Sequence, residues 1–326
     1  MTKKIFKHVK RFLPLIGIAI FVYLIYRLGF EDIIDAILSI PPIYIILSML
    51  LTIPLMLIRN YTWQIIQREQ KIKIGFLQSL KILFMACFYC VITPAYIGIL
   101  MRVPYMKEKT GEPYGKLFVN SSIDSILHTL SLYGMMFIGS LLIIGTIPSL
   151  FYMSGVWILF LAVLLLYFIK KERGEKLFLL LVKYFVPGKI KRHLNDFVGT
   201  FYTDFPKIKK LIIPLILGAF TWIIVFSQGY LIVLALGLSI PYLSFLILFP
   251  IVNAASFLPI TFAGLGTREL TSIFLFSTLF SVAEEKIFVF TIIGFLIGDI
   301  LPGFIGFILS LTETKKRGKS LEHIFN

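Results

Sequence analysis

Two stretches of this chain set proline, glycine and arginine among apolar residues: Thr93-Pro94-Ala95-Tyr96-Ile97-Gly98-Ile99-Leu100-Met101-Arg102 and Leu258-Pro259-Ile260-Thr261-Phe262-Ala263-Gly264-Leu265-Gly266-Thr267-Arg268-Glu269. Proline removes a backbone donor and glycine frees the dihedrals, so each stretch breaks a helix and leaves amides without intrahelical partners. Such amides, at the positive end of a helix dipole, favour an anion. A nearby arginine adds a planar two-point contact for phosphate or carboxylate. The chemistry expected is recognition of an anionic group by Arg268, with Glu269 orienting it, helped by Arg102 and the backbone at Pro94, Gly98, Pro259, Gly264 and Gly266. The competing reading is that proline and glycine only bend tightly packed helices.

Charges in apolar runs are costly and are therefore paired or functional. Besides Arg268 and Glu269, these are Asp124, with His128 one turn later on the same face, and Asp299 in Gly298-Asp299-Ile300-Leu301-Pro302. They are candidate coupling groups or counter-charges. The bland alternatives are a helix-start acid for Asp124, an interfacial acid for Asp299 and a packed polar side chain for His128. Cys87 and Cys90 are the sole cysteines, and four scattered histidines give them no zinc-like ligand set, so they read as small packing residues. No metal or cofactor is expected. Without a HExxH, Gly-x-Ser-x-Gly or Walker sequence, neither an enzyme nor an ATP-driven pump is indicated.

The elements that must position these groups follow from composition. The 326 residues are 58% hydrophobic and 15% charged, with a mean hydropathy of +0.91, which places the chain in a bilayer. Apolar runs cover Phe12 to Leu28, Ile43 to Ile58, Leu117 to Ile147, Phe151 to Ile169, Leu211 to Leu236, Tyr242 to Leu258, Leu270 to Val282 and Ile287 to Leu311. The first, after a basic start, reads as an uncleaved span. Leu80 to Met101 is a further run, broken at Thr93-Pro94 and Gly98. The fold expected is an all-α polytopic membrane protein of about eight spans, with two Pro/Gly-broken or re-entrant segments and a pattern compatible with an inverted repeat. One membrane domain would hold residues 12–169 and 211–311 on either side of a 170–210 linker, with a basic tail over 312–326.

A net charge of +15 would suggest nucleic acid in a soluble protein. Here every Lys and Arg except Arg27, Arg268 and Lys286 falls on one side of the expected spans. Topology accounts for the excess, putting both termini in the cytoplasm of a cell membrane, with no nucleic-acid partner. In the linker, Ile190, Leu194, Phe197, Val198, Phe201, Phe205 and Ile208 share a helical face, which suits an interfacial helix among anionic headgroups.

Pro259 through Gly264-Leu265-Gly266-Thr267-Arg268-Glu269 resembles the signature of the flippase-like family that includes the membrane region of lysylphosphatidylglycerol synthases. Thr93-Pro94 through Gly98 and Arg102 is similar to that family's earlier Thr-Pro-Gly-x-x-Gly-Glu-x-x-Arg element, and Asp124 stands where the family often has an acid. The resemblance implies a polytopic module that moves or presents lipids, among them aminoacylated phospholipids and polyprenyl-phosphate carriers. Two departures matter. Ala95 replaces a glycine, and Ile99 stands where an acid follows the glycine, so a partner for Arg102 must come from elsewhere. After Leu311 comes a basic tail rather than an aminoacyltransferase domain, so the transport half alone is expected. The leading expectation is a lipid transporter holding an anionic headgroup. The alternatives are a non-catalytic membrane partner of a separate lipid-modifying transferase and an ion-coupled carrier of a small anion.

Overall fold

The computed structural model describes residues 16–93, 96–169, 206, 208–257, 261 and 263–325. The expected interfacial helix over 190–208 falls almost wholly outside these residues, as do Pro94 and Pro259. In chain order the helices are α1 (Ile16–Leu28), α2 (Phe30–Leu38), α3 (Pro42–Leu50), α4 (Thr52–Glu69), α5 (Phe76–Val91), α6 (Arg102–Thr110), α7 (Tyr114–Leu142) and α8 (Pro148–Ile169). After the linker come α9 (Ile208–Ala235), α10 (Tyr242–Ser256), α11 (Thr267–Phe280), α12 (Glu284–Phe295) and α13 (Leu301–Phe325). Among the described residues all regular structure is helical.

Length sorts these helices. Pro42–Glu69, Tyr114–Leu142, Lys209–Ala235 and Glu284–Glu313 are long and apolar enough to cross a membrane. By contrast α5, α10 and α11 have 16, 15 and 14 residues, or roughly 21–24 Å at 1.5 Å per residue, short of a core of about 30 Å. The runs beginning at Tyr242 and Leu270 are thus half-length helices around a break, packed against each other. The acids Glu31, Asp32 and Asp35 belong to α2, which buries Ile33 and Ala36.

The helix holding α3 and α4 continues well past Ile58, where the apolar run ends. Its polar extension survives because protein satisfies it. Trp63 Nε1 donates to Asn120 Oδ1 (2.7 Å), Asn120 Nδ2 donates to Gln70 Oε1 (2.8 Å), and the Ser79 hydroxyl donates to Asn60 Oδ1 (2.8 Å). This fastens α4 to α5 and α7, where unmet polar groups would be costly.

The largest core belongs mainly to α9 through α12, where Phe245, Phe249, Phe276 and Phe290 contact one another with centroids 4.8–6.4 Å apart. A smaller core around Met56, Trp63, Leu83, Met106 and Leu117 holds α4 to α7. The outer side chains of α8, among them Tyr152, Met153, Val156 and Leu159, stay exposed. In a bilayer, lipid tails cover such apolar faces at no cost.

Candidate functional site

The first break opens at the end of α5. The Thr93 hydroxyl donates to the Tyr89 carbonyl (2.7 Å) and accepts the Gly98 amide (2.8 Å), so that amide is already used. Gly98 lies against α5 so tightly that a Cβ would come within 2.1 Å of the Tyr89 carbonyl carbon. A short 3-10 turn, Ile97–Met101, then leads to Arg102 at the head of α6.

Arg102 is fully buried. Its Nη1 pairs with Asp124 Oδ2 at 2.7 Å, Nη2 donates to Ser121 O (3.2 Å) and Ser125 Oγ (3.3 Å), and Nε donates to Ile99 O (3.3 Å). The guanidinium lies over the Trp63 ring at 4.5 Å. Asp124, on α7, supplies the acid that the sequence lacks at Ile99.

The second break ends differently. Gly266 holds φ 87°, and a Cβ on it would lie 2.2 Å from the Gly17 carbonyl of α1. Its amide donates to Glu269 Oε2 at 2.5 Å, so the first turn of α11 is capped by the chain's own carboxylate. Gly264, also at positive φ, sits against Ser256. Arg268 Nη1 pairs with Asp299 Oδ2 at 3.1 Å, and Nη2 donates to the Ala263 carbonyl (3.1 Å). Its guanidinium lies 4.4 Å from the Phe295 ring centroid. Nε is 3.7 Å from Glu269 Oε1, yet neither atom has a hydrogen-bond partner among the described residues. Asp299 lies in a π-helical turn, Leu296–Ile300, a widening often found at functional sites. Its side chain stays 27% exposed.

The breaks meet. The Tyr96 hydroxyl donates to the Ala263 carbonyl at 3.1 Å, and the Tyr96 ring lies 5.2 Å from that of Phe257. Beside this contact lies a cavity of about 430 Å³. Arg59, Asp124, His128, Asn253, Arg268 and Asp299 give it a polar side, while Leu55, Trp222, Phe249, Phe290 and Phe295 give it an apolar one. Ile97 and Ile126 also line it, and at 60% and 47% exposure they mark an apolar rim. Its size suits a headgroup-sized ligand, and its two-sided lining suits an amphipathic one.

Of the residues singled out in the sequence, Arg268, Asp299, Asp124 and His128 line the cavity; Arg102, Glu269, Gly98, Gly264 and Gly266 do not. His128 stacks on Trp222 at 4.4 Å, with Nδ1 3.4 Å from the Thr221 hydroxyl. No group of three or more His, Cys, Asp or Glu could hold a metal among the described residues. Arg59 is the charged lining residue that sequence reasoning passed over, because the charge count assigned it to topology. The available signal was the absence of Gly or Pro between Pro54 and Gly75, which lets the helix run through Arg59.

A helical membrane bundle with an internal cavity of mixed polarity, walled in part by two broken helices, defines a multi-pass membrane protein built around a site within its helices. Residues 14–306 match the family described as the lysylphosphatidylglycerol synthase TM region, and the chain belongs to it. It is 22% identical over 311 residues to a UPF0104 membrane protein of Methanocaldococcus jannaschii, covering 90% of this chain and 92% of that one. It is also 22% identical over 328 residues to a UPF0104 membrane protein of Methanothermobacter thermautotrophicus, covering 93% of each.

Proposed function

We propose that the chain binds the anionic headgroup of a membrane lipid in this cavity and moves or presents that lipid across the bilayer. The observation that carries the reading is the cavity itself, charged on one side, apolar on the other and rimmed by Ile97 and Ile126. A lipid leaves its tails in hydrocarbon and needs a polar place only for its headgroup. Arg268 faces that place, held by Asp299 from the last long helix. Arg102 acts behind the wall, fixing Asp124 and thereby the shape of the polar side.

The test compares Arg268→Ala with Arg268→Lys. Insertion is expected to be normal in both, with retained anionic lipid, measured by mass spectrometry of native membrane patches, reduced about tenfold, and with lipid movement in reconstituted vesicles lost. An ammonium cannot reproduce the planar two-point contact, so lysine should not rescue. Full activity in the lysine variant would return Arg268 to a topological role.

A further inference from the structure

We infer that Arg59 is the principal contact for a phosphate group in the cavity, an inference that rests on the headgroup reading and names the chemistry it recognises. Three arginines stand around the cavity, and two are committed. Arg102 is enclosed and spends its donors on Asp124, Ser121, Ser125 and Ile99. Arg268 divides its charge between Asp299 at 3.1 Å and Glu269 at 3.7 Å. Arg268 therefore offers a ligand a shared charge, a second contact beside Arg59.

Arg59 is placed otherwise. It lines the cavity on α4, is half-buried, and makes no hydrogen bond or ion pair with any described residue. It stands ten residues before Glu69, the end of its helix, so it lies about 15 Å inward from that end. A guanidinium cannot shed its proton to escape the cost of a half-buried position, and a charge without a close partner in a cavity wall points to a functional site. A phosphate supplies what is missing, two oxygens for the planar fork and a negative charge. Arg59 also borders a void of about 10 Å³ shared with Thr62, Asp124, His128 and Thr221, room for little more than a single water. A large anion therefore meets Arg59 from the main cavity.

A membrane phospholipid and a free phosphate would present the same oxyanion. The experiment reconstitutes the full chain, Arg59→Gln, Arg59→Lys and Arg268→Ala in nanodiscs containing phosphatidylglycerol, phosphatidic acid and a phosphate-free glycolipid. It measures retained lipid by mass spectrometry, with and without millimolar inorganic phosphate, together with the thermal unfolding midpoint. Expected is at least a tenfold loss of both phosphate-bearing lipids in Arg59→Gln, no change for the glycolipid, and an unfolding midpoint equal to or above that of the unsubstituted chain, because an unpaired charge has been removed. Arg59→Lys should restore less than half of the retention. Displacement of phospholipid by inorganic phosphate would assign the Arg59 site to a soluble phosphate, and lack of displacement would assign it to the lipid.

Loss in Arg268→Ala with full retention in Arg59→Gln would overturn the role of Arg59 and leave the cavity reading standing. Unchanged retention in both would remove the two together. A midpoint that falls in Arg59→Gln alongside equal loss of phosphate-bearing and phosphate-free lipid would make Arg59 structural.

Discussion

The two broken segments begin from nearly the same pattern and finish with opposite uses of their arginines. In the first, Arg102 is sealed between Asp124, Trp63 and two carbonyls, with no exposed surface. In the second, Arg268 reaches the cavity and its partner Asp299 keeps part of its side chain open. The difference comes from the partner helices. Asp124 lies in the long α7 with its side chain 9% exposed, whereas Asp299 sits on a π turn with its side chain 27% exposed. An arginine after a broken helix is therefore either sealed as a bolt or left lining a cavity, and the opposing helix decides which. A second contrast concerns the amides. In both breaks the glycine amide is taken by a side chain of the same segment, Thr93 in one and Glu269 in the other. The broken ends are thus self-capped at these glycines.

The largest effect expected from this contrast is at Arg102. Arg102→Ala leaves Asp124 buried and unpaired, and should cost about 3–5 kcal/mol of stability. Thermal unfolding in detergent would read this as a loss of folded protein, while Arg268→Ala should cost about 1–3 kcal/mol because the open side of Asp299 can still be hydrated. The paired change Arg102→Met with Asp124→Leu should recover most of the stability, since replacing both partners removes the stranded charge. Equal losses at the two arginines would break the comparison.

A middle-sized effect separates the glycines. Gly266→Ala meets both a positive φ and the Gly17 carbonyl, whereas Gly111→Ala meets a positive φ in open space. The first should cost about 1–3 kcal/mol and the second clearly less, read as unfolding midpoints of the two variants. Similar midpoints would mean that the approach of α1 to the second break is not tight. The smallest effect is at the tie between the breaks. Tyr96→Phe removes one hydrogen bond to Ala263 and should cost about 0.5–1.5 kcal/mol. A drop well beyond that range would show that the hydroxyl holds the two segments in register rather than merely linking them.

What local sequence could determine was determined by local physics. Proline and glycine clustered within a few residues interrupt a helix, whereas the lone Pro214 and Pro250 stay inside theirs, so both breaks could be read directly, as could the apolar runs that demand a bilayer. Asp124 and Asp299 were legible as suspects because a carboxylate among apolar residues is expensive in any fold. Which arginine each would meet was not legible, since the pairs join residues 22 and 31 positions apart through packing that no spacing rule reaches. Arg59 was hidden for a related reason. Charge counting treats an arginine after an apolar run as the start of a loop, but here Asn60, Trp63 and Asn120 carry the helix onward in a polar network and bring Arg59 to the cavity wall. The cost of burying a charge is written in its residue type. Whether the chain or a ligand offsets that cost depends on which atoms come within about 3 Å of it, and only the tertiary packing brings them there.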